Sequence, residues 1–290
     1  MRPRVSFLAL PLVALVAACG AGEGDDGPPP AGGGYVALGD SYTSAPDIGR
    51  SVDDACRRSE GNYPRLVAAE LDLDLTDVSC SGASTLNYAD PQYLGDEDRP
   101  PQRDALGADT ELVTVSLGAN DYRLYARLVS CIPRATVDPD GSPCRDLFAA
   151  EAGQADAADP VAGVVDAIAS RLGNVLDLVH RRSPDARVLV VGYPTALPVT
   201  KACRQFPVAD GDVAFTADAM DALNEALARA AEESDAEYVD LATPTEGHDM
   251  CAEDPWVAGM NPTGPAAPYH PYAAEQRAAA DAIVATLRGG

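Results

Sequence analysis

Ser41 stands directly behind a strand-like run, Tyr35-Val36-Ala37-Leu38, in the tripeptide Gly39-Asp40-Ser41. A serine at the carboxyl end of a first parallel strand lies on the edge where open α/β sheets bind ligands. Its hydroxyl is a poor nucleophile until a base takes the proton, and histidine is suited to that near neutral pH. The chain holds three histidines, His180, His248 and His270. Acyl transfer also needs donors aimed at the tetrahedral oxyanion. Gly82, in Ser79-Cys80-Ser81-Gly82-Ala83-Ser84, offers a backbone N–H with no side chain in the way. Asn120, in Leu117-Gly118-Ala119-Asn120-Asp121, offers a side-chain amide, and the N–H of Ser41 is a third donor. Gly-Asp-Ser alone serves in many proteins as a turn or a helix cap. The weight comes from several such blocks recurring at successive strand ends.

The elements that must position these groups follow from patterning. Strand-like runs occur at 35–38, 75–80, 112–117, 187–191 and 237–241. Helical spacing occupies the intervals. Residues 63–71 carry Leu66, Val67 and Leu71 on one face, and 161–180 carry Val164, Val165, Ile168, Leu172, Val175, Leu176 and Val179. Residues 214–233 are Ala-rich with Met220, Leu223 and Leu227, and 272–287 close the chain. Five strands alternating with helices predict a mostly parallel sheet covered on both faces. Residues 88–109 and 131–144 lack a period and read as surface loops that could line a substrate groove.

Ser41, Gly82, Asn120 and His270, the last in Pro268-Tyr269-His270-Pro271 before the final helix, occur in the order that resembles the GDSL or SGNH hydrolase family. The resemblance covers 35–290. It implies a flavodoxin-like three-layer α/β/α sandwich on a mostly parallel five-stranded sheet. It also implies Ser41 as nucleophile, His270 as base, and Gly82 and Asn120 in the oxyanion hole. No cofactor and no metal are implied. Family members commonly place Asp three residues before the His, where this chain has Ala267. Resemblance to the secreted branch of the family, which uses a backbone carbonyl there, implies a Ser–His dyad with the Ala267 carbonyl orienting His270, Asp254 being the alternative as a remote acid. Asp40 reads as a brace of the turn at Ser41, and Asp121 as a hydrogen-bonding residue of its loop. His180, at a helix end beside two arginines, reads as a solvated cation, and His248 as structural or groove-lining. Tyr42, Tyr122, Tyr125 and Trp256 divide between pocket wall and core.

Residues 1–19 read as a leader. Arg2 and Arg4 are basic, and Val5–Ala18 is apolar but shorter than the about 20 residues of a membrane span. Val16-Ala17-Ala18-Cys19 resembles a lipobox, which would make Cys19 a lipid-anchored N-terminus; an ordinary signal cleaved after Ala18 is the rival. The Gly-, Pro- and Asp-rich residues 20–34 read as a flexible linker and 35–290 as one hydrolase domain. The net charge is −24, from 45 acidic and 21 basic residues, which disfavours nucleic acid and anionic headgroups. Beyond Cys19 six cysteines remain, and an even number in an exported chain suggests three disulfides. Zinc is disfavoured because there is no Cys-x-x-Cys pair and few His. The secreted lipase and esterase branch of the family implies sequential pairing, Cys56–Cys80, Cys131–Cys144 and Cys203–Cys251. These readings predict an extracytoplasmic, monomeric serine esterase or lipase, acting on carboxylic esters through an acyl-enzyme. The alternatives are a surface-displayed binding lipoprotein on a hydrolase-like scaffold, a polysaccharide deacetylase and a phospholipid acyl hydrolase.

Overall fold

The computed structural model describes residues 34–95, 97–153 and 159–289. The leader, Cys19 and most of the linker lie outside the described residues. Five strands form the central sheet: β1 (Gly34–Gly39), β2 (Leu75–Asp77), β3 (Thr110–Ser116), β4 (Arg187–Val191) and β5 (Glu237–Val239). They lie in the order β2-β1-β3-β4-β5, and every pair is parallel. This is the flavodoxin-like order, with its switch point between β1 and β3.

Alternate residues of β1 explain the layers. Tyr35 and Ala37 belong to one apolar cluster with Tyr63, Val67, Ile283 and Val284, from helices α2 (Tyr63–Leu71) and α5 (Ala273–Gly289). Val36 and Leu38 belong to the other, with Ile168, Leu172, Leu223 and Leu227 of α3 (Ala162–Arg182) and α4 (Val213–Glu233). A strand buried on both faces reads as a near-continuous apolar run, which is how β1 appears in the sequence. The very short helix α1 (Ser41–Ser44) follows β1 at once.

Several elements differ from expectation. β2 ends at Asp77 because the Asp77 carboxylate takes the Ser79 N–H and hydroxyl, turning the chain out of the strand. Cys80 N–H nevertheless still reaches Gly39 O at 3.0 Å. The aperiodic stretch after Gly82 contains two 3-10 turns, Thr85–Tyr88 and Gln102–Ala105. Between them lies a small antiparallel hairpin, Gln92–Tyr93 with Asp98–Arg99. A helix at Pro143–Glu151 also went unpredicted; its first N–H groups are satisfied by Asp212, 68 positions away. The three disulfides are Cys56–Cys80, Cys131–Cys144 and Cys203–Cys251, the pairing the resemblance implied.

Candidate active site

Asp40 and Gly39 shape the turn that presents Ser41. The Asp40 carboxylate caps α1 by accepting the Tyr42 N–H at 2.8 Å, and its second oxygen accepts the Tyr193 hydroxyl at 2.7 Å. Burial pushes the Asp40 carboxyl up to about 7 against the pull of these two donors. A Cβ at Gly39 would run into the Thr43 side chain, which hydrogen-bonds the Tyr63 hydroxyl at 3.1 Å and has no room to yield. Gln102 closes the turn from behind, its amide bonding both N–H and C=O of Gly39 at 2.9 Å. The N–H of Ser41 donates to nothing among the described residues.

Gly82 sits in a turn at φ +83°, a left-handed conformation that favours glycine. Its N–H also has no partner among the described residues. Asn120 donates from Nδ2 to the Ala83 carbonyl at 2.9 Å, which ties it to the residue after Gly82. A second latch lies beside them. Asp121, fully buried, accepts the Thr85 N–H at 2.8 Å and the Thr85 hydroxyl at 2.5 Å, and pairs with Arg171 at 3.0 Å. Asp121 thus bonds within its own loop through its N–H, which donates to Gly118 O at 2.9 Å, and across to the neighbouring loop through its carboxylate. The Tyr193 hydroxyl also accepts the Ala119 N–H at 3.1 Å, tying the Asn120 loop to Asp40.

The His270 loop is fastened to the Ser41 helix. Ala267 N–H donates to Pro46 O at 3.1 Å, and Val257 bridges Pro271. The Tyr269 carbonyl accepts the hydroxyls of Tyr42 at 3.2 Å and Tyr125 at 3.0 Å, and the Tyr42 and His270 rings lie 6.0 Å apart. Tyr42 and Tyr125 are therefore buried polar braces, whereas Tyr122 is exposed and packs under Arg171. His270 Nδ1 lies 2.7 Å from the Pro268 carbonyl. A carbonyl only accepts, so Nδ1 carries the proton and Nε2 keeps its lone pair. The expected Ala267 carbonyl is not the partner, because it already receives the His270 N–H across the turn at 3.2 Å. Partial burial pushes the His270 pKa below its ordinary value, opposed by the Pro268 carbonyl.

Asp254 is engaged elsewhere. His248 stacks on Trp256 with centroids 3.8 Å apart and donates from Nδ1 to the Asp254 carbonyl at 2.8 Å, while Trp256 Nε1 bonds the Asp254 carboxylate at 3.3 Å. His180 bonds the Ser234 carbonyl at 3.0 Å instead of standing free in solvent. Among the described residues no cluster of His, Cys, Asp or Glu could hold a metal ion. Sequence reasoning missed Gln102, Tyr193 and Gln276, whose amide reaches the Tyr42 carbonyl at 2.9 Å. All act over more than 60 positions and leave no local signal.

A flavodoxin-like sheet carries these loops on its carboxyl edge, where open α/β folds bind their ligands. The chain belongs to the GDSL-like lipase/acylhydrolase family, whose profile matches residues 37–278. Lipase 2 of Streptomyces coelicolor is 36% identical over 258 residues, 85% of this chain and 83% of that one. Phospholipase A1 from Streptomyces albidoflavus NA297 superposes with a TM-score of 0.70 at 28% identity, over 88% of this chain and 99% of that one. An extracellular lipase from Streptomyces rimosus gives a TM-score of 0.70 at 25% identity, over 87% and 98%. These relatives make the chain a carboxylic ester hydrolase, so a purely binding role for the scaffold is set aside.

Proposed function

We propose that the chain is an extracytoplasmic serine esterase or lipase that works through an acyl-enzyme, with Ser41 as nucleophile and His270 as base. The observation that carries this reading is the pinning of the Tyr269–His270 peptide by the hydroxyl of Tyr42, the residue after Ser41, across 227 positions of sequence. The lone pair of His270 Nε2 takes the Ser41 hydroxyl proton as Oγ attacks the ester carbonyl carbon. The N–H groups of Ser41 and Gly82 and the Asn120 amide receive the developing oxyanion. Collapse breaks the bond to the leaving alkoxide, which takes the proton from His270. A water molecule, deprotonated by the same nitrogen, then attacks the acyl-serine and releases the carboxylic acid. Ser41→Ala and His270→Ala should each remove about a thousandfold or more of p-nitrophenyl ester turnover, and the double variant should be no worse than either, because the two act as one unit. Retention of a tenth of the wild-type rate by Ser41→Ala would sink the assignment.

Location and substrate belong to the same reading. The three disulfides and the similarity to an extracellular lipase of Streptomyces rimosus support export. The substrate class is carboxylic esters, and the similarity to a phospholipase A1 favours testing neutral and zwitterionic lipids alongside soluble esters. Cys19 supplies a lipid anchor in this proposal. Fatty-acid labelling lost in Cys19→Ser supports it, and an unlabelled protein wholly in the medium refutes it.

A further inference from the structure

The hairpin between the two 3-10 turns carries Gln92, a residue outside the four catalytic blocks. Its Nε2 donates to the Ser81 carbonyl at 2.8 Å. That carbonyl belongs to the peptide whose other end is the Gly82 N–H. A trans peptide is planar, with C=O and N–H pointing in opposite directions. Holding the carbonyl on one side therefore fixes the direction of the N–H on the other. Among the described residues this is the only hydrogen bond that the Ser81–Gly82 peptide makes.

The neighbouring backbone is fixed by other groups. Ser81 N–H donates to Cys56 O at 3.0 Å, Arg58 holds the Ser79 carbonyl at 2.8 Å, and Cys80 is bridged to Cys56. The rotation left free about this segment is that of the Gly82 peptide itself, since glycine at φ +83° has no Cβ to resist a flip. Gln92 Oε1 is buried without a hydrogen-bond partner among the described residues. An unmade bond of that kind costs about 1–3 kcal/mol, so general packing would favour an apolar side chain here. The hairpin is in turn moored by Arg99, which pairs with Gln92 in register and binds Asp53 at 2.8 Å.

We infer that Gln92 is a positioning residue that aims the Gly82 N–H at the oxyanion. This rests on the proposed roles of Ser41 and Gly82. Gln92→Leu keeps the bulk and deletes the donor; Gln92→Glu keeps the shape and, when ionised, turns the donor into an acceptor facing another acceptor. Steady-state kinetics on one soluble ester, with thermal unfolding of each variant, tests the idea. A mis-aimed donor should cost about tenfold to a hundredfold in kcat, less than the hundredfold to thousandfold for a deleted one. KM should stay within about twofold, the signature of an interaction made only in the transition state. The amide resonance of Gly82 in a phosphonate adduct of Ser41 should also move in both variants. If Gln92→Leu fails to fold, Gln92→Glu carries the test. A folded variant with kcat within about twofold of wild type, while Ser41→Ala is inactive, overturns the inference and leaves the nucleophile in place. An active Ser41→Ala overturns both.

Discussion

Replacing Asp121 by Ala should both loosen the molecule and slow it. The carboxylate is fully buried and receives three donors: Thr85 N–H at 2.8 Å, Thr85 hydroxyl at 2.5 Å and Arg171 at 3.0 Å. Hydrogen bonds to a charged group contribute about 1.5–3 kcal/mol each when one partner is removed. Simple addition overstates the loss, because Arg171 is about one-third exposed and regains water. The buried Thr85 N–H and hydroxyl regain less. The expected loss is therefore about 3–5 kcal/mol, the range for breaking a buried charged contact. In a domain of this size that lowers Tm by roughly 6–20 °C. Urea unfolding followed by the single tryptophan, Trp256, measures it. Thr85→Val, which deletes the hydroxyl and keeps the N–H, should cost about 1–2 kcal/mol. The kinetic effect follows from the latch, since Thr85 lies three residues beyond Gly82 and Asp121 follows Asn120. Asp121→Ala should thus lower kcat more than it raises KM. A stability loss under about 1 kcal/mol would show that the latch is not under load, and the link between the two loops would have to be abandoned.

Asn120→Ala should lower kcat by about a hundredfold to a thousandfold with little change in KM; a pure KM effect would move Asn120 from catalysis to substrate binding. Glu275 is buried, and its carboxyl is pushed up to about 8 from an ordinary 4.5, with a hydrogen bond from Gln276 pulling the other way. The native state therefore holds a proton that the unfolded chain has released, and its stabilising effect, complete below the ordinary value, is lost as pH rises through 8. Glu275→Gln should flatten that loss, gaining on wild type from about pH 5 to 8 by a few kcal/mol in denaturation measured against pH; parallel curves would refute it. Paired Cys203→Ala and Cys251→Ala should cost about 4 kcal/mol, since the bridge closes a separation of 48 residues and chain entropy grows with loop length. An unchanged unfolding midpoint would show that the bridge constrains nothing.

What could be read in the sequence was what local pattern encodes. β1 announces itself as an unbroken apolar run, Tyr35 to Leu38, and β3 as an apolar run broken only by Thr114 and Ser116 between Leu112 and Leu117, because helices cover both faces. The seven apolar positions of α3 repeat at helical spacing, and all six residues that the helix buries, Val165 to Val179, are among them. The blocks proposed to do the chemistry were legible by their place in the fold: those of Ser41, Gly82 and Asn120 follow strands, and that of His270 precedes the last helix. Residues 88–109 were not, because their work is done by single side chains over long separations: Gln102 to Gly39 across 63 positions and Gln92 to Ser81 across 11. Hydrogen bonds of this sort impose no period. The wrong choice of carbonyl for His270 has the same origin. Counting back to Ala267 ignores Tyr269, whose left-handed φ of 64° closes a turn that consumes the Ala267 carbonyl and brings Pro268 round to Nδ1.

That turn also bears on how His270, as the proposed base, would serve without a carboxylate. A carbonyl fixes the tautomer but stabilises imidazolium less than an ionised acid would. The described structure compensates in position rather than in charge. Tyr42 has its N–H on Asp40, its carbonyl on Gln276 and its hydroxyl on both Tyr125 and the Tyr269 carbonyl. One residue therefore couples the peptide bearing the proposed nucleophile to the peptide bearing the proposed base. Neutral hydrogen bonds are worth about 1 kcal/mol each, little for stability, yet they act on backbone groups next to the reacting side chains. Small displacements there are costly to a reaction that depends on alignment. The electrostatic consequence runs the same way: burial holds His270 below its ordinary pKa, which favours the neutral imidazole, the form able to accept a proton. With His270 as the proposed base, the site would give up some stabilisation of imidazolium in exchange for a neutral, positioned imidazole.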